Sequence, residues 1–369
     1  MPPLDKLAPR PALEHGAKEL PYVRLDTYNA ELSDPSGEGF LGDRASNRAF
    51  SAILEDWRER ARRGGGDADP LEGTAGENIP TEKIDRTDLD ALLHAADQAP
   101  EAAGLVHSAI EDFAQEMTAV IRRFLRLPGW RGTERIAVGG GFLEARIGLM
   151  AVGRVAILLK AGGEQIQLVP VSRHPDEAAL CGAAHLAPPE LLAGTDAVLA
   201  VDIGGTNLRV GLVELGLKEA PDLSRAHVVA VERWRHADEA SDRDGAVARI
   251  AGMLGELAER ARREKLSLAP FVGVGCPGLI ASDGTIKCGG QNLPGGNWEG
   301  DEFNLSTQLA EAVSSIIGRP FQVVVHNDAV VQGLSETHGM QGVKHWGVLT
   351  IGTGLGNARF TNRPSKQPS

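Results

Sequence analysis

Two glycine-threonine turns constrain this chain more than any other feature of its sequence. DIGGTN, Asp202 to Asn207, separates the apolar runs AVLAV (197–201) and LRVGLVEL (208–215). TIGTGLGNA, Thr350 to Ala358, again stands between two strand-like runs, in HWGVLTIGTGLGNARFTN. Glycine opens backbone conformations that side chains forbid and leaves amide N–H groups free to face an anion. In the first turn the candidates are Gly204, Gly205, Thr206 and Asn207; in the second they are Gly352, Thr353, Gly354 and Gly356. Asp202 is negative and cannot cradle phosphate, but it suits a hydrated Mg2+ that accompanies a nucleotide. Taken alone, DIGGTN reads equally well as a plain Gly- and Asn-rich hairpin. A pair of such turns is more specific, because a nucleotide held between two lobes needs one from each.

Three further segments carry candidate chemistry. In VVVHNDAVVQGLSE (323–336) an apolar strand ends at Asn327 and Asp328, where a helix begins. Asn and Asp are favoured helix N-caps, and that reading outweighs the functional one when the segment stands alone. The functional reading is a carboxylate at the carboxyl end of a strand, placed to take a proton from an attacking hydroxyl. GVGCPGLIASDGTIKCGGQNLPGGNWEG (273–300) holds nine Gly and two Pro after a strand. Its amides Asn292 and Asn297 could bind hydroxyls, and its apolar Leu279, Ile280, Leu293 and Trp298 argue against a merely solvated loop. RIAVGGG (135–141) runs strand into Gly139, Gly140 and Gly141 and then into helix, a geometry that lets a nucleoside approach the backbone.

Length and charge bound the class. At 369 residues the chain exceeds one ordinary domain and suits two lobes. Net charge is 38 minus 50, or −12, so no basic field exists for non-specific nucleic-acid binding. Cys181, Cys276 and Cys288 form no CxxC pair, which argues against a disulfide scaffold and a Cys-rich zinc site. The first twenty residues lack the apolar core of a secretory signal, and no run of about 18 apolar residues could span a membrane. The expectation is a cytoplasmic α/β protein.

The order of elements reads as follows. A short extended segment is expected at 22–32 and a helix at about 46–63. The segment 64–81, with five Gly and two Pro, has the composition of a mobile loop. Val106, Ile110, Phe113, Met117, Val120 and Phe124 draw one apolar stripe along a helix at 101–125. Strand 135–138, a helix after the three glycines, strand 166–171 and helix PDEAALCGAAHLA follow. APPELLAGTD (187–196) is linker-like. Beyond it come the strands around DIGGTN, a helix at 244–262, strand 271–275, a helix at 306–317, strand 322–326, a helix from Ala329, and the final strand-turn-strand. His326 reads as packing, Cys276 and Cys288 as small fillers, and Glu336 as a surface or capping residue. Arg209 either pairs with Asp202 or lies outward.

Together these five segments resemble the ROK family of sugar kinases, within the hexokinase–actin–Hsp70 ATPase superfamily. DIGGTNLR and TIGTGLG are similar to that family's two phosphate hairpins, and RIAVGGG to its adenosine motif. GVGCPG with QNLPG is similar to its sugar loop, and HNDAVVQGLSE to its catalytic helix. The resemblance implies a two-lobed actin-like ATPase fold of the ribonuclease H-like α/β type. Its segments stand in permuted order: those that close the family chain come first here, from about 30 to 187, and those that open it follow, from Ala197 to Asn362. A circular permutation with APPELLAGTD as the join accounts for this, since surface chain ends tolerate such rearrangement. The implied lobes are 1–175 with 328–369 for nucleotide, and 176–327 for sugar and the first hairpin.

The resemblance implies phosphoryl transfer from ATP, with Mg2+, to a sugar hydroxyl. Asp328 would be the general base. Pro277, Gly278, Asn292 and Asn327 would contact the sugar, and the two hairpins with Gly139 to Gly141 would hold the nucleotide. Two departures matter. GFLGDRASNRA stands where the family's CxCGxxGCxE zinc cluster is expected, with Phe40 and Gly42 replacing a Cys and a Glu, so no structural zinc is expected. The family's Glu-x-Gly-His is not recognisable, and Glu38 is its nearest candidate. Small-molecule sugar and nucleotide are the expected partners, without nucleic acid or membrane. Many family members are dimers, so a homodimer is one expectation. A non-catalytic sugar-sensing regulator and a degenerate kinase are the competing readings. A chaperone-type ATPase is disfavoured by GCPG with QNLPG.

Overall fold

The computed structural model describes residues 14–20, 22–34, 39–65, 69–71, 79–239, 241–291, 293–299 and 302–363. In chain order they form β1 (Val23–Tyr28), α1 (Asn47–Gly65), α2 (Arg86–His94), α3 (Pro100–Arg126) and β2 (Arg135–Gly139). Then come α4 (Arg146–Ala161), β3 (Gln167–Pro170), α5 (Pro175–Ala183) and α6 (Pro189–Leu192). The hairpin strands β4 (Ala197–Ile203) and β5 (Leu208–Glu214) follow, with β6 (His227–Trp234), α7 (Arg243–Arg263) and β7 (Leu268–Cys276). The chain continues through β8 (Leu279–Ile280), β9 (Ile286–Cys288), α8 (Leu305–Ile317), β10 (Gln322–Asn327), α9 (Asp328–Leu334), β11 (His345–Ile351) and β12 (Leu355–Asn362). Among the described residues no helix is long and apolar enough to cross a membrane.

The architecture is mixed α/β. One sheet has strand order β10-β7-β4-β5-β6, and another has β1-β12-β11-β2-β3. In the first, β4, β5 and β6 form an antiparallel meander, and β7 and β10 add parallel to β4 on its other side. Three antiparallel strands extended by two parallel ones are the strand order of the ribonuclease H-like fold, as expected for the fold class. The parallel additions need crossovers, which α7 and α8 provide.

The chain divides into two compact units. One comprises Met1–Asn29, Val171–Val348 and Gly356–Ser369; the other comprises Ala30–Pro170 and Leu349–Leu355. These bounds do not coincide with the lobes drawn from the sequence. Asp328 falls with the first hairpin, because β10 continues the ladder of β7 and feeds α9 directly.

In the first unit the core lies between the sheet and α7 and α8, with Leu199, Val201, Val210, Val272, Val325, Leu254 and Leu309 all buried. The other face of the sheet carries α5, and glycines let it come very close. A Cβ on Gly273 of β7 would overlap the Ala183 carbonyl, and one on Gly211 of β5 would press into Leu180. A Cβ on Gly182 would overlap the Val331 carbonyl of α9. These strand and helix glycines therefore set the spacing between α5, α9 and the sheet rather than turn geometry.

In the second unit the expected stripe of α3 is entirely inside: Val106, Ile110, Phe113, Met117, Val120 and Phe124 are buried. Phe113 packs on Phe50 of α1 and on Phe142, with ring centroids 5.7 and 4.9 Å apart. The described part of the glycine-rich 64–81 segment is anchored, contrary to its loop composition. Asp69 receives Arg58 Nε at 2.7 Å, and Leu71 is fully buried in the core. Helix α2 and strand β6 were not anticipated; α2 is short, and β6 alternates weakly, with only Ala230 and Trp234 buried.

Close approach at Gly182 and Gly273 predicts severe cost for any side chain there. Gly182→Val or Gly273→Val should lose about 3 kcal/mol or more in urea unfolding. Gly252→Ala, in α7 with open space around the new methyl, should instead gain about 0.5–1 kcal/mol.

Candidate functional site

In the first unit, three parallel strands end side by side. Asp202 of β4 is in register with Gly275 of β7, and Asn327 of β10 with Cys276. Asp328 follows at once as the first residue of α9. The first glycine hairpin leaves the same end of β4. Two carboxylates thus meet at the carboxyl ends of adjacent strands, where an open α/β sheet presents its ligand site.

Their electrostatics follow from this. Burial and then the neighbouring charge of Asp202 push the Asp328 carboxyl up from 3.8 to about 6. Burial likewise raises Asp202, and Arg209 pulls it back down. The buried Cys276 thiol is raised by desolvation and by both aspartates, so it behaves as the inert filler expected from the sequence.

Asp202 is held by a chain of charges. Arg209 donates from Nη1 to Asp202 at 3.2 Å and from Nε to Asp176 of α5 at 2.6 Å. Arg233 of β6 pairs with the other Asp176 oxygen. Asp202, Arg209 and Arg233 sit in one cross-strand row, Asp202 opposite Arg209 and Arg209 opposite Arg233. Two facing arginines repel, and Asp176 from the helix above neutralises them. Asp176 and Arg233 escaped the sequence reading because the row exists only once β4, β5 and β6 are in register.

The hairpin itself is braced. Gly204 N–H donates to the Asn207 carbonyl at 2.9 Å, closing the turn. The Gly204 carbonyl lies 2.8 Å from His236 Nε2, and Ala237 N–H donates to the Thr206 carbonyl at 3.3 Å. Gly204, Gly205, Thr206 and Asn207 are all partly exposed. Gly204 keeps φ outside the left-handed region, so the glycine is not there for handedness; a Cβ would stand 3.0 Å from the Asn207 carbonyl oxygen.

Asn327 caps α9. Its side-chain oxygen accepts from Ala329 N–H at 3.0 Å and from Val330 N–H at 3.3 Å, while its amide donates to the Gly278 carbonyl at 3.0 Å. This buried amide serves the cap and the Pro277-Gly278 turn, bonds that use one of the two N–H donors of its NH2 group. Gly278 itself requires glycine: φ is +97°, and a Cβ would overlap the Cys288 carbonyl. Ile280, Leu293 and Trp298 of the same loop are buried in the core, as their apolarity suggested, whereas Leu279 is exposed. Asn292 and Glu38 lie outside the described residues.

Glu336 is not a surface residue. It is buried and accepts from Ser172 N–H at 3.1 Å and from the Ser172 hydroxyl at 3.0 Å, with its pKa raised by burial. His326 is buried as expected, and burial lowers it to about 4.

In the second unit, the triple glycine and the second glycine-threonine turn come together. Gly140 has φ +91°, and a Cβ there would collide with the backbone of Ile351, the residue before Gly352. Asn47 N–H at the start of α1 donates to the Gly352 carbonyl at 2.9 Å. Gly354 has open space where a Cβ would be. Helix α2 closes the far side of the triple glycine. Arg86 donates to the Gly141 carbonyl at 2.8 Å, and Asp90 accepts from the N–H groups of Arg146 and Ile147 at 2.7 and 2.8 Å. The N-terminus of α4 is therefore already satisfied by a carboxylate of the chain. Gly139 ends β2, Thr353 follows Gly352 in the turn, and Gly356 begins the residues assigned to the first unit.

No protein-family profile matches the chain, and no curated protein matches it. Among solved structures the chain is similar to a "putative sugar kinase" from Cytophaga hutchinsonii, with 21% identity over 45% of this chain and 48% of that one, at a TM-score of 0.32. It is also similar to a "putative N-acetylmannosamine kinase" from Listeria monocytogenes, with 25% identity over 45% and 47% of the two chains and a TM-score of 0.30. The PPX-GPPA enzyme of Aquifex aeolicus shares 14% identity over 61% of this chain and 83% of that one, with a TM-score of 0.32. The chain spans about half the length of the two kinase structures.

The raised Asp328 carboxyl has a consequence for stability. Between 3.8 and about 6 the folded state binds more protons than the unfolded one, so stability falls as pH rises through that window. Asp328→Asn should therefore raise stability above about pH 6 by about 1–3 kcal/mol, a gain that fades on acidification below the ordinary carboxyl range. Thermal melts of both proteins across pH check this.

Proposed function

We propose that the chain is an ATP-dependent phosphotransferase acting on a sugar hydroxyl, with Asp328 as general base. The observation that carries this reading is the meeting of Asp202 and Asp328 at neighbouring strand ends beside the DIGGTN hairpin. A base with a pKa near 6 is ionised at neutral pH and still accepts a proton effectively. Its Oδ1 accepts from Ala329 N–H at 2.8 Å, which fixes the carboxylate and leaves Oδ2 for the incoming hydroxyl.

The residues fit an Mg-nucleotide in chemistry. Asp202 has one oxygen paired to Arg209, so it suits the water shell of a cation better than direct coordination. The hairpin residues Gly204, Gly205, Thr206 and Asn207 would face phosphate, as would Gly352, Thr353, Gly354 and Gly356. Gly139, Gly140 and Gly141 would meet the nucleoside. Mg2+ supplies charge neutralisation when bound; the chain supplies positioning and the proton acceptor. Pro277 and Gly278 would line the sugar side, with Asn292 and Glu38 as further contacts. The reading places the protein in the cytoplasm, where ATP is available.

Two structural features support the wider resemblance. Strand β1 pairs antiparallel with β12, Val23 opposite Asn362, and Arg363 N–H donates to the Tyr22 carbonyl at 3.1 Å. A short hairpin from 362 to 23 would restore the order β11-β12-β1-β2 of the unpermuted family, which is what a circular permutation predicts. Where the family's zinc cluster is expected, Arg44 instead donates to the buried Asp34 at 2.7 Å and to Glu116 at 3.3 Å. These ion pairs tie down the 41–45 turn, and we propose that they replace a structural zinc.

The test is ATP consumption with a panel of hexoses, N-acetylhexosamines and polyols. One compound should drive ADP release, and Asp328→Asn should reduce that turnover by about 100-fold or more while nucleotide binding by calorimetry is retained. Near-normal turnover in the variant would refute the assignment of the base, and sugar binding without any ADP release would favour a sensor.

A further inference from the structure

The turn that carries Asp328 is gripped from outside by residues near the start of the sequence. His15 Nδ1 accepts from Val325 N–H at 3.0 Å, and Gly16 N–H donates to the Val325 carbonyl at 3.2 Å. This covers the exposed edge of β10, the outermost strand of its sheet. One residue on, His326 is fully buried and uses both ring nitrogens. Nδ1 accepts from Asn327 N–H at 2.7 Å, which requires the proton on Nε2, and Nε2–H donates to the Ala17 carbonyl at 3.0 Å.

The opposite side of the same turn is held by Tyr28. Its hydroxyl donates to the Ile280 carbonyl at 3.2 Å and accepts from Ile280 N–H at 3.3 Å. Its ring meets His326 edge-on, with centroids 5.4 Å apart at 64°. Gly16 packs onto the Ile280 carbonyl so tightly that a Cβ would overlap it. Between Ile280 and His326 lies the Asn327 to Gly278 hydrogen bond that joins α9 to the sugar-side loop. Residues 15–17 and 28 therefore bracket both partners of that bond.

We propose that His326 and Tyr28, braced by residues 15–17, are positioning residues that fix the Asn327-Asp328 turn against the Gly278-Ile280 loop. The inference rests on the phosphotransferase reading for its kinetic consequence, but not for its structural one. None of these side chains needs to touch the substrate. His326 acts through the Asn327 backbone, and Tyr28 through the Ile280 backbone. The site thus depends on a segment some 300 positions away in sequence.

Hydrogen exchange and steady-state kinetics on the full chain test this. Tyr28→Phe keeps the ring and loses only the hydroxyl, so the fold should survive it. The expected result is a roughly tenfold faster amide exchange confined to 278–280 and 326–330. Turnover should drop about tenfold with the KM for ATP unchanged. His326→Gln, which can still donate to the Ala17 carbonyl, should be milder than His326→Leu on both readouts. Unchanged exchange at 278–280 and 326–330 in Tyr28→Phe overturns the proposal, as does a parallel change in turnover and KM for ATP. If the unaltered chain turns over no sugar, the phosphotransferase reading fails by itself. The bracket is then decided by exchange alone: faster local exchange supports it, and unchanged exchange refutes it.

Discussion

The first unit is organised around two carboxylates, buried Asp202 and partly exposed Asp328, brought together where three strands end. Burial raises the proton affinity of both, and the charge of Asp202 raises that of Asp328 further. The chain answers asymmetrically. Asp202 receives a guanidinium, itself steadied by Asp176 and Arg233, so its charge has a partner in the fold. Asp328 receives only backbone N–H groups at a helix start, which favour its charged form without cancelling it. Unequal support separates the pair, one carboxylate tied to a guanidinium and the other not, and under the proposed function that division suits acid-base chemistry at one site.

Close packing behind the site makes this arrangement affordable in space. Helix α5 brings Asp176 to Arg209 because Gly182, Gly211 and Gly273 remove the side chains that would hold it off. The charges and the glycines therefore belong to one device. A larger residue at Gly273 would displace the helix that carries Asp176 and, with it, the support of Asp202.

The elements with strong periodicity were legible in the sequence. The α3 stripe is buried at every anticipated position, and both glycine hairpins lie between the strands expected for them. What stayed hidden depends on contacts between residues far apart. Arg209 had two open readings until β4 and β5 were in register, and Arg233 and Asp176 carried no local mark at all. Glu336 looked superficial because helix periodicity was assumed to continue past Leu334, whereas the helix stops there and the side chain turns inward to Ser172. In the described part of the 64–81 segment composition misled: glycine content describes freedom of the chain, but a buried Arg58–Asp69 pair and a buried Leu71 anchor residues 69–71. Asn327 shows the reverse case, where the ordinary helix-cap reading describes the bonds of its side-chain oxygen, while its amide nitrogen reaches across to the Gly278 carbonyl.

The proposed permutation would give the bracket around Asp328 a physical rationale. In a chain where β12 ran straight into β1, the segment before β1 would be a tight hairpin with no reach. Here residues 14–20 precede β1, and this arm lies across β10 and the loop after β7. The same sheet position that exposes an edge strand to unwanted pairing is thereby covered by the chain's own backbone. Covering the edge and steadying the Asn327-Asp328 turn are one set of hydrogen bonds, because the residues that finish β10 are also those that begin the site. An arm with that double role cannot vary freely in sequence: Gly16 must be glycine against Ile280, and the two histidines must present unprotonated nitrogens to Val325 and Asn327.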